Sequence, residues 1–245
     1  MGIAIRLATL VRSAAKRLAR SDRRAALVVP PRFNRNSATV SALMPPEQAG
    51  LRLLERMRQQ LGVDGYANRR VLDFGCGARF SQAIVNAGFT IGQYVGIDNC
   101  RQLVDFLDAN VRDPRLSYHF LDAHHPLYNP AGVPLSAATR LPLADAAFDI
   151  ACMFSVITHQ YPEDSRAIFT LLRRHVHPGG HLFFTCFLDD TVATFEDRSP
   201  DRNGGYCVYN PAFLADLVAG CGWRFVTSAP PDGPLIAHAF VYRPI

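Results

Sequence analysis

Two glycines and two acids carry the clearest chemistry in this sequence. They begin in the run Val71-Leu72-Asp73-Phe74-Gly75-Cys76-Gly77-Ala78-Arg79-Phe80, where an apolar stretch ends in an acid and a glycine turn. Gly75 and Gly77 permit backbone conformations, and a close ligand approach, that a Cβ would block. The second acid, Asp98, closes the next apolar stretch 25 residues after Asp73. At the end of a strand it can accept hydrogen bonds from ribose hydroxyls. Turn, acid and order together point to a nucleotide-type cofactor. A different pair, Asp189 and Asp190, ends a later apolar run near which His159 could lie, an arrangement open to Mg²⁺. No third carboxylate stands at a suitable spacing, so no metal site is expected.

Elements must hold these residues in place, and the pattern after Pro46 supplies them. Leu51, Leu54, Met57 and Leu61 share one face of a helix that stops at Gly62. Apolar runs at 71–74, 94–98, 116–121, 148–154 and 181–188 read as strands, and 81–87, 101–109 and 163–175 as helices between them. A long connection over 122–147, with Pro126, Pro130, Pro134 and Pro142, replaces much of one helix. Asn210 caps a further helix with Pro211 at its first position. Residues 223–227 and 236–242 form two closing strands joined too tightly for a helix, so they pair antiparallel. Alternation of this kind predicts an α/β protein, a Rossmann-like doubly wound sheet of seven strands, mostly parallel with an antiparallel C-terminal strand. Two units are expected, an arm and linker over 1–45 and one domain over 46–245.

Dinucleotides and S-adenosylmethionine both use such a layout, and the details favour the second. The dinucleotide fingerprint Gly-x-Gly-x-x-Gly asks for a small sixth residue, and Phe80 stands there. The run 71–80, Gly96-Ile97-Asp98, residues 141–154, and residues 172–184 with His177-Pro178-Gly179-Gly180 resemble class I S-adenosylmethionine-dependent methyltransferases. Phe148-Asp149-Ile150, Ser155-Val156-Ile157-Thr158-His159 and Pro162-Glu163-Asp164 are similar to bacterial members that modify glycans, glycolipids and secondary metabolites. One departure stands out: the family's Asp-x-Gly-x-Gly-x-Gly has no third glycine here, and the turn is one residue short before Arg79-Phe80. The resemblance implies that Asp73, Gly75, Cys76 and Gly77 surround the methionyl part of S-adenosylmethionine, chiefly through backbone. It also implies that Asp98 holds the ribose, with Asn99 beside the adenine, and that Asp122 and Ala123 meet the adenine amino group and ring. Phe154 and Ser155 would face the sulfonium. A competing reading of Asp122 is a simple turn cap, and of Phe154 plain core.

Methyl transfer from a sulfonium starts from an activated donor, so alignment is the enzyme's main task. A sugar or alcohol hydroxyl also needs a general base. His159, a few residues past the fourth strand, is the first candidate, since an imidazole can take a proton at neutral pH. A histidine that only orders its loop through a backbone carbonyl is the alternative. His124, His125 and Tyr128 on the long connection, and Arg202 and Tyr206 on the polar segment after the fifth strand, are expected at the acceptor. The expected acceptor is a small molecule or glycan, most simply at oxygen. RNA or N-methylation and a non-catalytic interaction protein are the other readings.

Charge sets the partners. Residues 1–24 carry seven basic side chains against one acidic, whereas the remainder carries 19 basic and 20 acidic. A neutral body offers no broad basic face, so nucleic acid is not an expected partner. Ile3, Leu7, Leu10, Val11, Ala14 and Leu18 fall on one side of a helical wheel and the basic residues on the other. An amphipathic helix is therefore expected, which docks on its own domain, lies on an anionic membrane surface, or serves as a targeting or RNA-contacting arm. Six widely spaced cysteines without a CxxC pair, several of them in apolar runs, fit a reducing cytoplasm.

Overall fold

Nine strands and five α-helices succeed one another among the described residues of a computed structural model, which are 26–33, 44–136, 138–233 and 235–245. The amphipathic helix expected within residues 1–24 lies outside the described residues. The helices are α1 (Pro46–Leu61), α2 (Arg79–Asn86), α3 (Arg101–Asn110), α4 (Pro162–His175) and α5 (Pro211–Ala219). The strands are β1 (Tyr66–Phe74), β2 (Ile91–Asp98), β3 (Leu116–Phe120), β4 (Phe148–Met153), β5 (Val176–Leu188), β6 (Phe195–Asp197), β7 (Cys207–Tyr209), β8 (Trp223–Ala229) and β9 (His238–Pro244).

Local chemistry explains the helix ends. Gly62 closes α1 in the left-handed region at φ 63°, donating to the carbonyls of Arg58 and Gln59. Pro162 opens α4, with Glu163 and Asp164 in its first turn and Arg173, Arg174 and His175 in its last, matching the helix dipole at both ends. The Asn210 side chain accepts from the amides of Ala212 and Phe213 at the start of α5. By contrast α2 starts at Ala78, which offers no capping side chain.

The main sheet runs β3-β2-β1-β4-β5-β9-β8, parallel except for β9, which pairs antiparallel with both β5 and β8. These are the seven strands and the single antiparallel strand that the sequence predicts. A small β6–β7 hairpin, attached to the end of β5 by Phe187↔Val208 and Leu188↔Tyr209, is an addition that the sequence pattern does not announce. Alternate strand residues feed two cores. Val71, Tyr94 and Ile150 pack under α1, α2 and α3 on one face, and Leu72, Val95 and Ala151 pack under α4 and α5 on the other. Residues 26–33 lie across the first face, where Leu27 and Phe33 are buried and Leu27 exchanges two hydrogen bonds with the Asn86 side chain.

Strand order reverses between β1 and β4. In open α/β sheets the crevice outside the carboxyl ends of the strands at such a point is where ligands bind.

Candidate active site

At that reversal a cavity of about 310 Å³ opens. Its wall is built at the carboxyl ends of the strands: the glycine turn after β1, Asp98 and Asn99 at the end of β2, Leu121 and Ala123 after β3, and Phe154 and Ser155 after β4. Val29, Pro31 and Phe33 of the 26–33 segment close one side.

The turn itself is held from below. Gly75 and Cys76 both donate to the Ile97 carbonyl, at 2.8 and 2.9 Å. Gly75 sits at φ 74°, and a Cβ there would come 2.5 Å from Val156 Cγ2, so no side chain fits. Asp98 is almost fully buried; Oδ2 accepts from the Gly77 amide at 3.0 Å and Oδ1 from the Cys100 amide at 2.9 Å. The acid thus fastens the turn to the start of α3. Asp73 lies beneath, its carboxylate receiving Tyr94 Oη at 2.8 Å and Cys152 Sγ at 3.6 Å. Burial nevertheless pushes its pKa up to about 7, the two donors opposing that rise. Phe80 fills the space that a dinucleotide-type turn would leave for packing, with its ring edge-on to Phe154 at 5.2 Å.

On the β4 side Ser155 holds φ 56°, and its amide donates to Thr185 Oγ1 at 2.8 Å. A non-glycine residue there costs of order 1 kcal/mol, and such strain gathers at functional sites. Four residues on, His159 ends a short 3₁₀ turn, Ile157–His159, and lines the cavity. Its Nδ1 lies 3.2 Å from the Gly204 carbonyl, an acceptor only, so Nδ1 carries the proton and Nε2 is the basic nitrogen. Gly204 is set by Asp197, whose carboxylate receives the Gly204 amide, the Ser199 amide and hydroxyl, and Tyr161 Oη. Those donors hold the Asp197 pKa down to about 2, against the effect of burial.

His125 is committed at both ring nitrogens. Nδ1 accepts from the Leu127 amide at 3.1 Å and Nε2 donates to the His159 carbonyl at 2.7 Å, making the ring a strut between the long connection and the 3₁₀ turn. Tyr128 sits between the two histidines, 4.7 Å from the His125 ring and 5.7 Å from that of His159.

Of the residues expected from sequence, the fold gathers Asp73, Gly75, Cys76, Gly77, Asp98, Asn99, Ala123, Phe154, Ser155, His124, His125, Tyr128 and His159 on this one wall. Three stand elsewhere. Asp122 is bonded to Asn129 Nδ2 at 2.9 Å, the turn-cap arrangement. Arg202 is exposed on the 198–206 loop, and Tyr206 lays its ring on Phe187 at 4.8 Å. Asp189 is taken up by Thr191 and Arg198, and among the described residues no three His, Cys, Asp or Glu side chains gather as a metal set. Sequence reasoning missed Arg79, Asp197, Gly204 and the 26–33 segment. For Arg79 a signal exists, since it comes directly after the shortened glycine turn.

Sheet order, glycine turn and the buried acid after β2 define the class, a Rossmann-like fold built to hold a nucleoside. Residues 72–184, a little under half of the chain, match the family model for a methyltransferase domain, and the fold is shared with a methyltransferase solved with S-adenosylhomocysteine. Similar solved structures carry the same fold at low identity. The 1,6-didemethyltoxoflavin-N1-methyltransferase of Burkholderia thailandensis, solved with S-adenosylhomocysteine, is 17% identical over 81% of this chain and 79% of that one, with a TM-score of 0.56. The glycopeptide N-methyltransferase MtfA is 13% identical over 80% and 90%, and the [4+2]-cyclase SpnF 18% over 79% and 80%, both with a TM-score of 0.56.

The residues present suit this cofactor. A Cβ on Gly77 would meet nothing within 4 Å, so the turn leaves open room beside the wall it forms. Gly75, Cys76 and Gly77 line the cavity on one side, and Asp98 and Asn99 bring polar groups to it at the end of β2.

Proposed function

We propose that the protein methylates a hydroxyl of a small-molecule or glycan acceptor, with His159 as the general base. The orientation of His159 carries this reading: the Gly204 carbonyl fixes the Nδ1–H tautomer and leaves Nε2 as the nitrogen able to take a proton. Bound S-adenosylmethionine supplies an electrophilic methyl group on a sulfonium. The chain's own part is to align the acceptor, exclude water and receive the hydroxyl proton. Alignment is worth roughly 7 to 11 kcal/mol of barrier, and a positioned base about 10²- to 10⁴-fold in rate. His124 and Tyr128 share the wall with His159 and stand where the acceptor would rest. Arg202 and Tyr206 would meet only a larger acceptor, one that reaches out to the 198–206 loop.

An amine acceptor is the second reading, favoured by the two N-methyltransferases among the similar structures. Deprotonation by His159 would serve an ammonium equally well. The basic arm we read as an address for an anionic surface on the cytoplasmic side, and the neutral remainder as unsuited to RNA.

Methyl incorporation from labelled S-adenosylmethionine into panels of hydroxyl and amine acceptors tests the proposal. His159→Gln should lower turnover of the active acceptor by about 10²-fold or more while S-adenosylhomocysteine still binds. Unchanged turnover in that variant would remove His159 as base; turnover confined to amines would replace oxygen by nitrogen.

A further inference from the structure

Two large apolar side chains beside the cavity are left in water. Leu127, on the long connection, and Tyr206, at the far end of the 198–206 loop, are 44% and 41% exposed. They belong to one surface. A Cβ on Gly205 would lie 3.5 Å from Leu127 Cδ1, so the leucine rests on the loop at the residue before Tyr206. Phe187 backs the Tyr206 ring at 4.8 Å, and the exposed Pro126 precedes the leucine. Single exposed apolar residues are ordinary, but residues that meet across two segments form a patch.

Both sides of this shelf are tied to His159. The Leu127 amide donates to His125 Nδ1 at 3.1 Å, and His125 Nε2 donates to the His159 carbonyl at 2.7 Å. On the other side Gly204, whose carbonyl meets His159 Nδ1 at 3.2 Å, stands two residues before Tyr206, a span of at most about 7 Å. In sequence Leu127 falls between His125 and Tyr128, which both line the cavity. The shelf therefore continues the cavity wall outward, in a position set by the same bonds that orient the basic nitrogen. A few side chains fall far short of the roughly 800 Å² per partner that a stable protein interface buries. They match one face of a single small apolar group instead.

We infer that Leu127 and Tyr206 hold an apolar group of the acceptor, attached close to the hydroxyl that His159 deprotonates. The acceptor class is then an amphipathic alcohol, whose hydroxylated part enters the cavity while an alkyl or aromatic substituent lies outside on the shelf. The inference deepens the hydroxyl-acceptor reading above and rests on it for the place of the reacting group. A wholly polar sugar would leave the shelf wet, whereas an apolar substituent and the shelf both lose water on contact. A tyrosine ring backed by a second ring offers a flat, rigid face, which covers a chain or a ring at little cost in side-chain freedom.

The test is calorimetric titration of n-alkyl β-D-glucosides, from methyl to hexyl, into the full chain saturated with S-adenosylhomocysteine, repeated on Leu127→Ser and Tyr206→Ser. Affinity should rise about twofold per added methylene, less than complete burial gives because the shelf covers one side only, and so roughly 30-fold over the series. Each variant should flatten the rise to roughly 5-fold or less, while its affinity for S-adenosylhomocysteine stays within about twofold of wild type and reports an intact fold. A wild-type series without dependence on chain length would overturn the inference. So would a rise that survives in either variant, since the chain would then lie elsewhere, or a hexyl glucoside that does not bind, since the apolar contact does not depend on the sugar. Affinity is read here without turnover, so a flat series removes the shelf alone, whereas unchanged turnover in His159→Gln removes the base alone. A chain that fails to bind S-adenosylhomocysteine would remove the cofactor reading and this inference together.

Discussion

Asp73 shows how one buried residue records the difference between holding a fold and holding a ligand. It lies at the carboxyl end of β1, sealed under the glycine turn, with its carboxylate facing Tyr94, Cys152, Arg79 and the acid of Asp98. Burial favours its neutral form and raises its pKa from 3.8 to about 7, the Tyr94 and Cys152 hydrogen bonds only partly offsetting that. Between those two values the folded protein binds more protons at this site than the unfolded chain does. The site's contribution to stability is therefore full below about pH 4 and is lost as the pH climbs through about 7. Asp149, Asp189 and Asp197, all lowered, act in the opposite sense, losing their contribution as the pH falls below the ordinary carboxylate range. The variant isolates the one from the others. Urea midpoints of the wild type and Asp73→Asn, measured from about pH 4.5 to 8, should diverge, with the asparagine protein gaining relative stability toward the alkaline end. Parallel curves would mean that Asp73 is ionised in the fold across the whole range.

The element that matters most to the proposed chemistry is the 197–204 loop, and Asp197 is the acceptor at its centre. Four donors from Tyr161, Ser199 and Gly204 converge on that carboxylate. Gly204 is held at φ 74° in the left-handed region, where a Cβ would stand 3.0 Å from the His159 carbonyl. Its own carbonyl then meets His159 Nδ1. Asp197→Ala should release this carbonyl, so that ¹⁵N shifts of the His159 ring at about pH 8 change from the Nδ1–H tautomer to a mixture, and turnover falls at least about tenfold. S-adenosylhomocysteine affinity should change less than about twofold, because the loop lies outside the cofactor wall. A ring that keeps its tautomer in the variant would show that the loop does not orient it. None of this is legible in the sequence, because β6 and β7 have three residues each, too few to display a period. β1 begins at Tyr66 rather than 71, and the residues between, Ala67, Asn68, Arg69 and Arg70, offer no apolar alternation. β5 begins at Val176 rather than 181, since Val176 pairs with Phe148, and the residues between, His177-Pro178-Gly179-Gly180, offer no apolar run. The parallel sheet and the glycine turn are readable for the converse reason. Buried strands are continuous apolar runs, and a ligand-approached turn needs glycines that chance seldom spaces so.

At the scale of the whole molecule, cofactor cavity and basic arm are neighbours along the chain but separate in charge. Val29, Pro31 and Phe33 line the cavity, and Leu27 is fastened to Asn86 through its amide at 2.7 Å and its carbonyl at 3.2 Å. Residues 1–24, with seven basic side chains and one acidic, end just before this fastening. The rest of the chain, with 19 basic and 20 acidic, has no net positive charge to draw it to an anionic surface. Among the described residues no helix is long and apolar enough to cross a membrane, and the charge that could hold an anionic surface falls to that arm. Each basic side chain near an anionic leaflet is worth about 1 kcal/mol, screened by salt over roughly 10 Å at about 0.1 M. A protein lacking residues 1–24 but keeping Leu27 should therefore bind S-adenosylhomocysteine and turn over as the full chain does. Yet it should stay in the supernatant when phosphatidylglycerol vesicles are sedimented at low salt, whereas the full chain pellets and is released at about 1 M salt. A full chain that ignores the vesicles would rule out the surface address. Turnover that collapses on truncation, with cofactor affinity intact, would place the arm at the acceptor instead.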